Sequence, residues 1–136
     1  MAQVLLVEDE CNLRMLYRLE LQAEGHEIVE AASGAEAVRV LKSGQPLQAV
    51  ILDLNLPDVR GWQLLNLISA HRPNLPAIIN TAYGDFLQDM RDWRADAYVV
   101  KSSDLTNLKK ALARCLSAAW QREQENLIEF KRGRFQ

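Results

Sequence analysis

Four apolar stretches of this chain lead into groups that could do metal or phosphoryl chemistry. Val4–Val7 is followed by Glu8, Asp9 and Glu10; Ala49–Leu52 by Asp53; Ala77–Ile79 leads to Thr81; and Tyr98–Val100 to Lys101. Gathered at one edge, these would bring together at least three carboxylates, a hydroxyl and an ammonium. Clustered carboxylates repel one another and call for a cation. Hard oxygen ligands suit Mg²⁺, which keeps waters and takes one or two carboxylates with phosphate oxygens. The same set describes a phosphoryl acceptor. Asp53 would be the nucleophile, the metal would neutralise charge on the transferring group, and Lys101 and Thr81 would bind its oxygens. Any one of these acids alone reads as a solvated loop residue; polar groups after four apolar runs do not. Asp53 in particular ends an apolar run (AVILDL) instead of lying on a polar helix face.

The elements that would position them follow from the spacing. The four runs, with Ile28-Val29, are β-branched or leucine-rich and lack polar alternation, as strands buried on both faces of a parallel sheet do. Ile28-Val29 is flanked by Glu27 and Glu30, which places it at an edge. Helix-period segments separate the runs. Leu13, Leu16, Tyr17 and Leu21 share a face and stop at Gly25. Ser33 caps a helix carrying Ala37, Val38 and Leu41, closed by Gly44 and Pro46. Leu64, Leu65 and Ile68 form a third helix, ended by Pro73, and Phe86, Leu87, Met90 and Trp93 a fourth. Ser103 or Asp104 opens the last, along Leu105, Leu108, Leu112 and Leu116. Such alternation predicts an α/β doubly wound parallel sheet with helices on both faces, whose function gathers beyond the carboxyl ends of the strands.

Composition agrees. The 136 residues, 49% hydrophobic and 25% charged, suit one globular domain at about 100–200 residues per domain. With 16 basic against 18 acidic residues the net charge is −2, not the basic footprint of a nucleic-acid binder. Cys11 and Cys115 form no C-x-x-C pair, which points to a reducing compartment. No apolar run approaches the roughly 20 residues of a membrane span. A cytoplasmic protein with no membrane insertion and no direct nucleic-acid contact is expected. His26 and His71, at helix exits without partners nearby in sequence, read as surface or capping residues.

VLLVEDE, VILDLNLPDVRGW, IINTAYGD and DAYVVKSSDL, in this order and spacing, resemble the receiver domain of two-component response regulators. The resemblance covers roughly residues 3 to 119 and is specific as a combination, though each motif alone is weak. It implies a flavodoxin-like fold of five strands, order 2-1-3-4-5, and five helices, with residues 1–119 as receiver and 120–136 as a C-terminal extension of the last helix and tail. It implies that Asp53 accepts a phosphoryl group. Asp9, Asp53 and the backbone carbonyl of Asn55 would bind Mg²⁺ directly and Glu8 through water. Thr81 and Lys101 would contact the phosphoryl group, and Tyr98 would be the aromatic switch. Phosphorylation would draw Thr81 inward, and Tyr98 would turn into the vacated space, changing the face made by the fourth helix, fifth strand and fifth helix. The implied partners are a histidine kinase or phosphotransfer protein and a downstream protein effector.

The chain departs from the family pattern in places. Ser102 follows Lys101 where proline is usual, and a non-proline cis bond costs about 2.5–4 kcal/mol, so a trans Lys101–Ser102 bond is expected. Tyr83, two residues after Thr81, could shade the phosphoryl group and give a phospho-form lasting minutes or longer. Residues 120–136 (WQREQENLIEFKRGRFQ) have no breaker before Gly133. They read equally as a helix extension that supports a homodimer and as a frayed amphipathic end. Three functions stand. The first is a stand-alone phosphorylation-controlled binding switch, which catalyses only its own phosphorylation and dephosphorylation and is not an enzyme in the metabolic sense. The second is a Mg²⁺-dependent phosphatase or phosphotransferase with an aspartyl-phosphate intermediate, although Asn55 stands where such enzymes carry a second aspartate. The third is a phosphorylation-independent receiver-like scaffold.

Overall fold

The structure, a computed structural model, describes residues 2–82 and 94–134. The expected fourth helix (Phe86 to Trp93) and Tyr83 lie outside the described residues. In chain order the elements are β1 (Gln3–Val7), α1 (Cys11–Ala23), β2 (Glu27–Ala31), α2 (Gly34–Lys42), β3 (Ala49–Leu52), α3 (Gly61–His71), β4 (Ala77–Thr81), β5 (Ala97–Val100) and α4 (Thr106–Arg134). The strands form one parallel sheet in the order β2-β1-β3-β4-β5. This is the doubly wound sheet expected from the alternation, with the Glu-flanked strand β2 at an edge.

Period-two alternation divides the core between the two faces. Val4 and Leu6 of β1, Ile51 of β3 and Ile78 of β4 pack with Tyr17 and Leu21 of α1 and Leu108 and Leu112 of α4. Leu5, Val7, Val50, Leu52 and Ile79 face the other way, onto Ala37, Leu41, Leu64 and Ile68 of α2 and α3. Leu16, expected on the apolar face of α1, is instead 40% exposed. Tyr17 and Leu21 already cover the sheet there, and Leu16 turns to their solvent side.

Helix ends follow local chemistry. Gly25, at φ +95, closes α1: its N–H donates to Gln22 O and His26 N–H to Leu21 O, the paired bonds of a glycine-terminated helix. Ser33 Oγ accepts from Glu36 N at the start of α2. The last helix opens two residues later than the expected Asp104. Asp104 Oδ1 accepts from both Thr106 N and Thr106 Oγ1, and Leu105, 8% exposed, drops into the core before the first turn. Gly133 does not end α4, which runs unbroken from Thr106 to Arg134. The Lys101–Ser102 bond is trans, no cis peptide occurring among the described residues. No helix of the described residues is long and apolar enough to cross a membrane.

The loop after β3 is held close to its neighbours. Gly61 opens α3 against Leu54, and a Cβ there would collide with Leu54 Cδ2 and crowd its Cα. Gly61→Ala should cost about 1–3 kcal/mol by overpacking, measured by urea unfolding. Gly133→Ala, with nothing within 4 Å of the added carbon, should be neutral or slightly stabilising in the same assay.

Candidate functional site

Strand register brings the chemical groups together. Val7 lies opposite Leu52, so Glu8 and Asp53 leave the sheet side by side, Asp53 N–H donating to Val7 O at 3.0 Å. Thr81 lies opposite Val100, and the next residue, Lys101, donates its N–H to Thr81 O at 2.7 Å. Carboxylate oxygens of Glu8, Asp9 and Asp53 lie within 4.8 Å of one another. Glu8, Asp53 and Thr81 are buried, and Asp9 is exposed at the rim.

Lys101 ties the buried acids. Its Nζ donates to Glu8 Oε1 at 2.5 Å and Asp53 Oδ2 at 3.0 Å. Asp53 Oδ1 accepts from Asn55 N at 3.2 Å, which fixes the backbone at Asn55, a residue exposed beside the site. Glu8 Oε2 is buried without a hydrogen-bond partner. Burial, helped by the Asp53 charge and opposed by the Lys101 hydrogen bond, pushes the Glu8 carboxyl up to about 7. Burial pulls the Lys101 ammonium down, but its hydrogen bonds to Glu8 and Asp53 outweigh this and hold it above the ordinary lysine value. A buried carboxylate oxygen without a donor, inside a cluster of hard oxygens, fits a divalent cation of the Mg²⁺ type.

The other predicted residues are placed as follows. Tyr98 on β5 is half-buried and packs against the core cluster on the α2/α3 side of the sheet. Burial raises its phenol, against a backbone hydrogen bond from Ala95. Cys11 is exposed and Cys115 buried. His26 is half-buried, with Nδ1 enclosed and unpartnered, and burial lowers its imidazole.

Four residues that the sequence analysis gave no role at the site contribute to it. Asp58 Oδ1 and Oδ2 accept from Gly34 N and Ala35 N, each at 2.9 Å, which pins the β3–α3 loop to the start of α2. Tyr17 and Asn80 are buried polar residues under the site, and Tyr17, raised by burial, is eased by a hydrogen bond with Asn80. Arg14 Nη1 donates to Glu8 O at 2.8 Å and Asp9 O at 3.4 Å. A cation in the first turn of a helix opposes the macrodipole, and that local misfit is the signal that could have drawn attention to Arg14.

A parallel sheet of this order, with acids, a hydroxyl and an ammonium beyond its carboxyl edge, belongs to the doubly wound α/β class, whose ligands bind beyond the carboxyl ends of the strands. The sequence profile of the response regulator receiver domain matches residues 4–113. The chain is 40% identical over 116 residues to the response regulator protein FleR of Pseudomonas aeruginosa, covering 83% of this chain and 24% of that protein. It is 28% identical over 116 residues to sporulation initiation phosphotransferase F of Bacillus subtilis, covering 84% and 93% respectively. A crystal structure of response regulator protein TrrA from Thermotoga maritima, in complex with Mg²⁺-BeF, superposes with a TM-score of 0.79 at 37% identity, covering 85% of this chain and 99% of that one. The chain belongs to the response regulator receiver domain family. It spans a quarter or less of the length of the first curated relatives it matches, at 24% of FleR and 18% of the transcriptional regulatory protein GlrR of Escherichia coli.

Glu8 gives the metal-free protein a measurable pH dependence. Its carboxyl, raised to about 7, keeps its proton where the unfolded chain has released it, so its contribution favours folding at low pH and is lost as pH rises through about 7. Glu8→Gln should remove this loss and stabilise the metal-free protein at about pH 7.5 by on the order of 2 kcal/mol relative to its effect at pH 5. Urea unfolding in chelator at matched pH values measures it. The lowered His26 acts in the opposite sense in both proteins and cancels in their difference. A difference independent of pH would contradict the assignment.

Proposed function

We propose that this receiver accepts a phosphoryl group on Asp53 from the phosphohistidine of a histidine kinase or phosphotransfer protein, with Mg²⁺ bound at the acids, and that the modified form presents a changed surface to a protein effector. The observation that carries the proposal is the convergence of buried Glu8 and Asp53 on Lys101, with Asp9 at the rim and one Glu8 oxygen left without a donor.

Each residue has a task that follows from its place. Asp9, Asp53 and the Asn55 carbonyl would hold Mg²⁺ directly and Glu8 through water. The bound ion supplies charge neutralisation between the anionic nucleophile and the anionic phosphoryl group. A carboxylate oxygen of Asp53 attacks phosphorus, a phosphorus–oxygen bond forms, and the phosphorus–nitrogen bond to the donor breaks. The electron pair of that bond goes to the imidazole nitrogen. The other Asp53 oxygen is held by Asn55 N–H, which leaves the carboxylate oriented. Lys101, already within 3.0 Å of Asp53, turns from Glu8 to the phosphoryl oxygens, and the Thr81 hydroxyl contacts the same group. Movement of Thr81 at the end of β4 is passed to Tyr98 on the paired strand β5, which alters the β5–α4 face. With Asn55 in place of a second acid two residues from the nucleophile, the protein turns over no external substrate.

The domain is assigned to residues 1–119, and residues 120–136 to an extension. Trp120, Leu127, Ile128 and Phe130 are exposed along α4, a surface suited to a homodimer through the last helix. An exposed Cys11 and a buried, unpaired Cys115 suit the cytoplasm.

Incubation with Mg²⁺ and acetyl phosphate should add one phosphoryl group by mass, abolished by chelator and by Asp53→Ala. An unchanged wild-type mass, or modification that persists in Asp53→Ala, overturns the proposal. Sedimentation should show a mass that rises with concentration and falls on Trp120→Ala with Leu127→Ala. A monomer at every concentration removes the homodimer.

A further inference from the structure

The loop that carries Glu8 and Asp9 is only three residues long between β1 and α1, and it is held at several points. Glu8 N–H donates to Ala31 O at 3.0 Å. The Glu10 carboxylate is occupied as the cap of α1, accepting from Asn12 N and Leu13 N. The carbonyls of Glu8 and Asp9 both meet one atom, Arg14 Nη1, at 2.8 and 3.4 Å. Arg14 is in turn oriented from the edge strand: its Nε lies 3.5 Å from Glu30 Oε1, and Arg18 Nε lies 3.6 Å from the same oxygen.

Two electrostatic costs stand against this arrangement. The first turn of a helix disfavours a cation, and a guanidinium beside the acids repels a metal ion bound by them. What offsets them is geometry. A guanidinium presents a planar set of donors that can grip two carbonyls while another N–H faces a carboxylate. Fixing consecutive carbonyls fixes the peptide planes between Glu8 and Glu10, and so the directions in which the Glu8 and Asp9 side chains leave the backbone.

We propose that Arg14 is a positioning residue for the cation site. It holds the Glu8–Asp9 backbone so that one carboxylate enters the buried cluster and the next stands at its rim, with Glu30 of β2 orienting the guanidinium. The proposal rests on the reading of Glu8, Asp9 and Asp53 as a Mg²⁺ site.

The charge and the geometry of Arg14 act on the metal in opposite directions, which makes them separable. Mg²⁺ affinity by calorimetry is compared for wild type, Arg14→Lys, which keeps the charge, and Arg14→Met, which removes it. Amide hydrogen exchange over residues 8–11 is measured on the metal-free proteins. Positioning predicts that both variants bind Mg²⁺ about tenfold more weakly, the lower range for losing a group that orients a metal ligand. It also predicts faster exchange without metal at Glu8, whose N–H donates to Ala31 O. Glu30→Gln should shift both readouts in the same direction and by less, and it tests the idea should an Arg14 variant unfold. Unchanged affinity in Arg14→Lys with tighter binding in Arg14→Met would show a charge effect alone and overturn the proposal. If the wild type binds no Mg²⁺, the cation reading fails by itself, and metal-free exchange still decides the role of Arg14: rates equal to wild type overturn it.

Discussion

Two carboxylates, Glu8 and Asp53, leave adjacent strands of the sheet and are buried, and one ammonium stands between them. Burial of like charges in this way is costly unless each is matched by a donor. Lys101 supplies 2.5 and 3.0 Å contacts to Glu8 and Asp53, which uses one oxygen of each. The match remains incomplete: Asp9 adds a third carboxylate to the cluster, and the carboxyl of Glu8 is raised because burial outweighs its pairing. Much of the architecture serves this conflict. The register of β1 with β3 sets Glu8 beside Asp53, and that of β4 with β5 delivers Lys101. The loop after β3 is anchored to α2 through Asp58.

The strands, their edge assignment and the convergence of Glu8, Asp9, Asp53, Thr81 and Lys101 were legible because each rests on a short-range pattern. Apolar runs buried on both faces have no polar alternation, and the residue after each run lands at a known edge of a parallel sheet. Less legible was whatever depends on how two distant segments meet. The exposure of Leu16 is set by how much of α1 the sheet needs, not by its spacing. The start of α4 at Thr106 follows from Leu105 being claimed by the core, where capping residues alone favour Ser103 or Asp104. Asp58 is an ordinary turn residue in sequence and a helix cap from another element in space. Arg14 reads as a solvated cation until its carbonyl partners are seen.

The same distinction applies to α4. Periodicity supports the helix through Leu116, and nothing in the sequence marks where contact with the sheet ends. The helix continues to Arg134 on local propensity, across Gly133, and beyond Leu116 its apolar residues face solvent, with Trp120 61% and Phe130 62% exposed. Its early turns are tied to α1 by Lys109, which reaches Glu20 at 2.8 Å and Glu24 at 3.4 Å. The projecting part is therefore the continuation of a rod whose base is fixed in the core.

Lys101 connects the site to the rest of the receiver in a second way. As long as no cation shares the acids, the lysine is the counter-ion of both Glu8 and Asp53, and its side chain is committed. A divalent cation on the same oxygens would compete for that role and would free the lysine to turn toward Asp53 and a group carried there. Under the proposed function, binding of the cation and of the phosphoryl group would then favour each other, because each would relieve a charge that the other leaves unmatched. The backbone N–H of Lys101 donates to Thr81 O, which ties the lysine to the end of β4. On this argument the proline usually found after the lysine is not what makes the linkage. With Ser102 in its place and the peptide trans, Lys101 still reaches both acids, held by the Thr81 carbonyl on one side and by the charges it neutralises on the other.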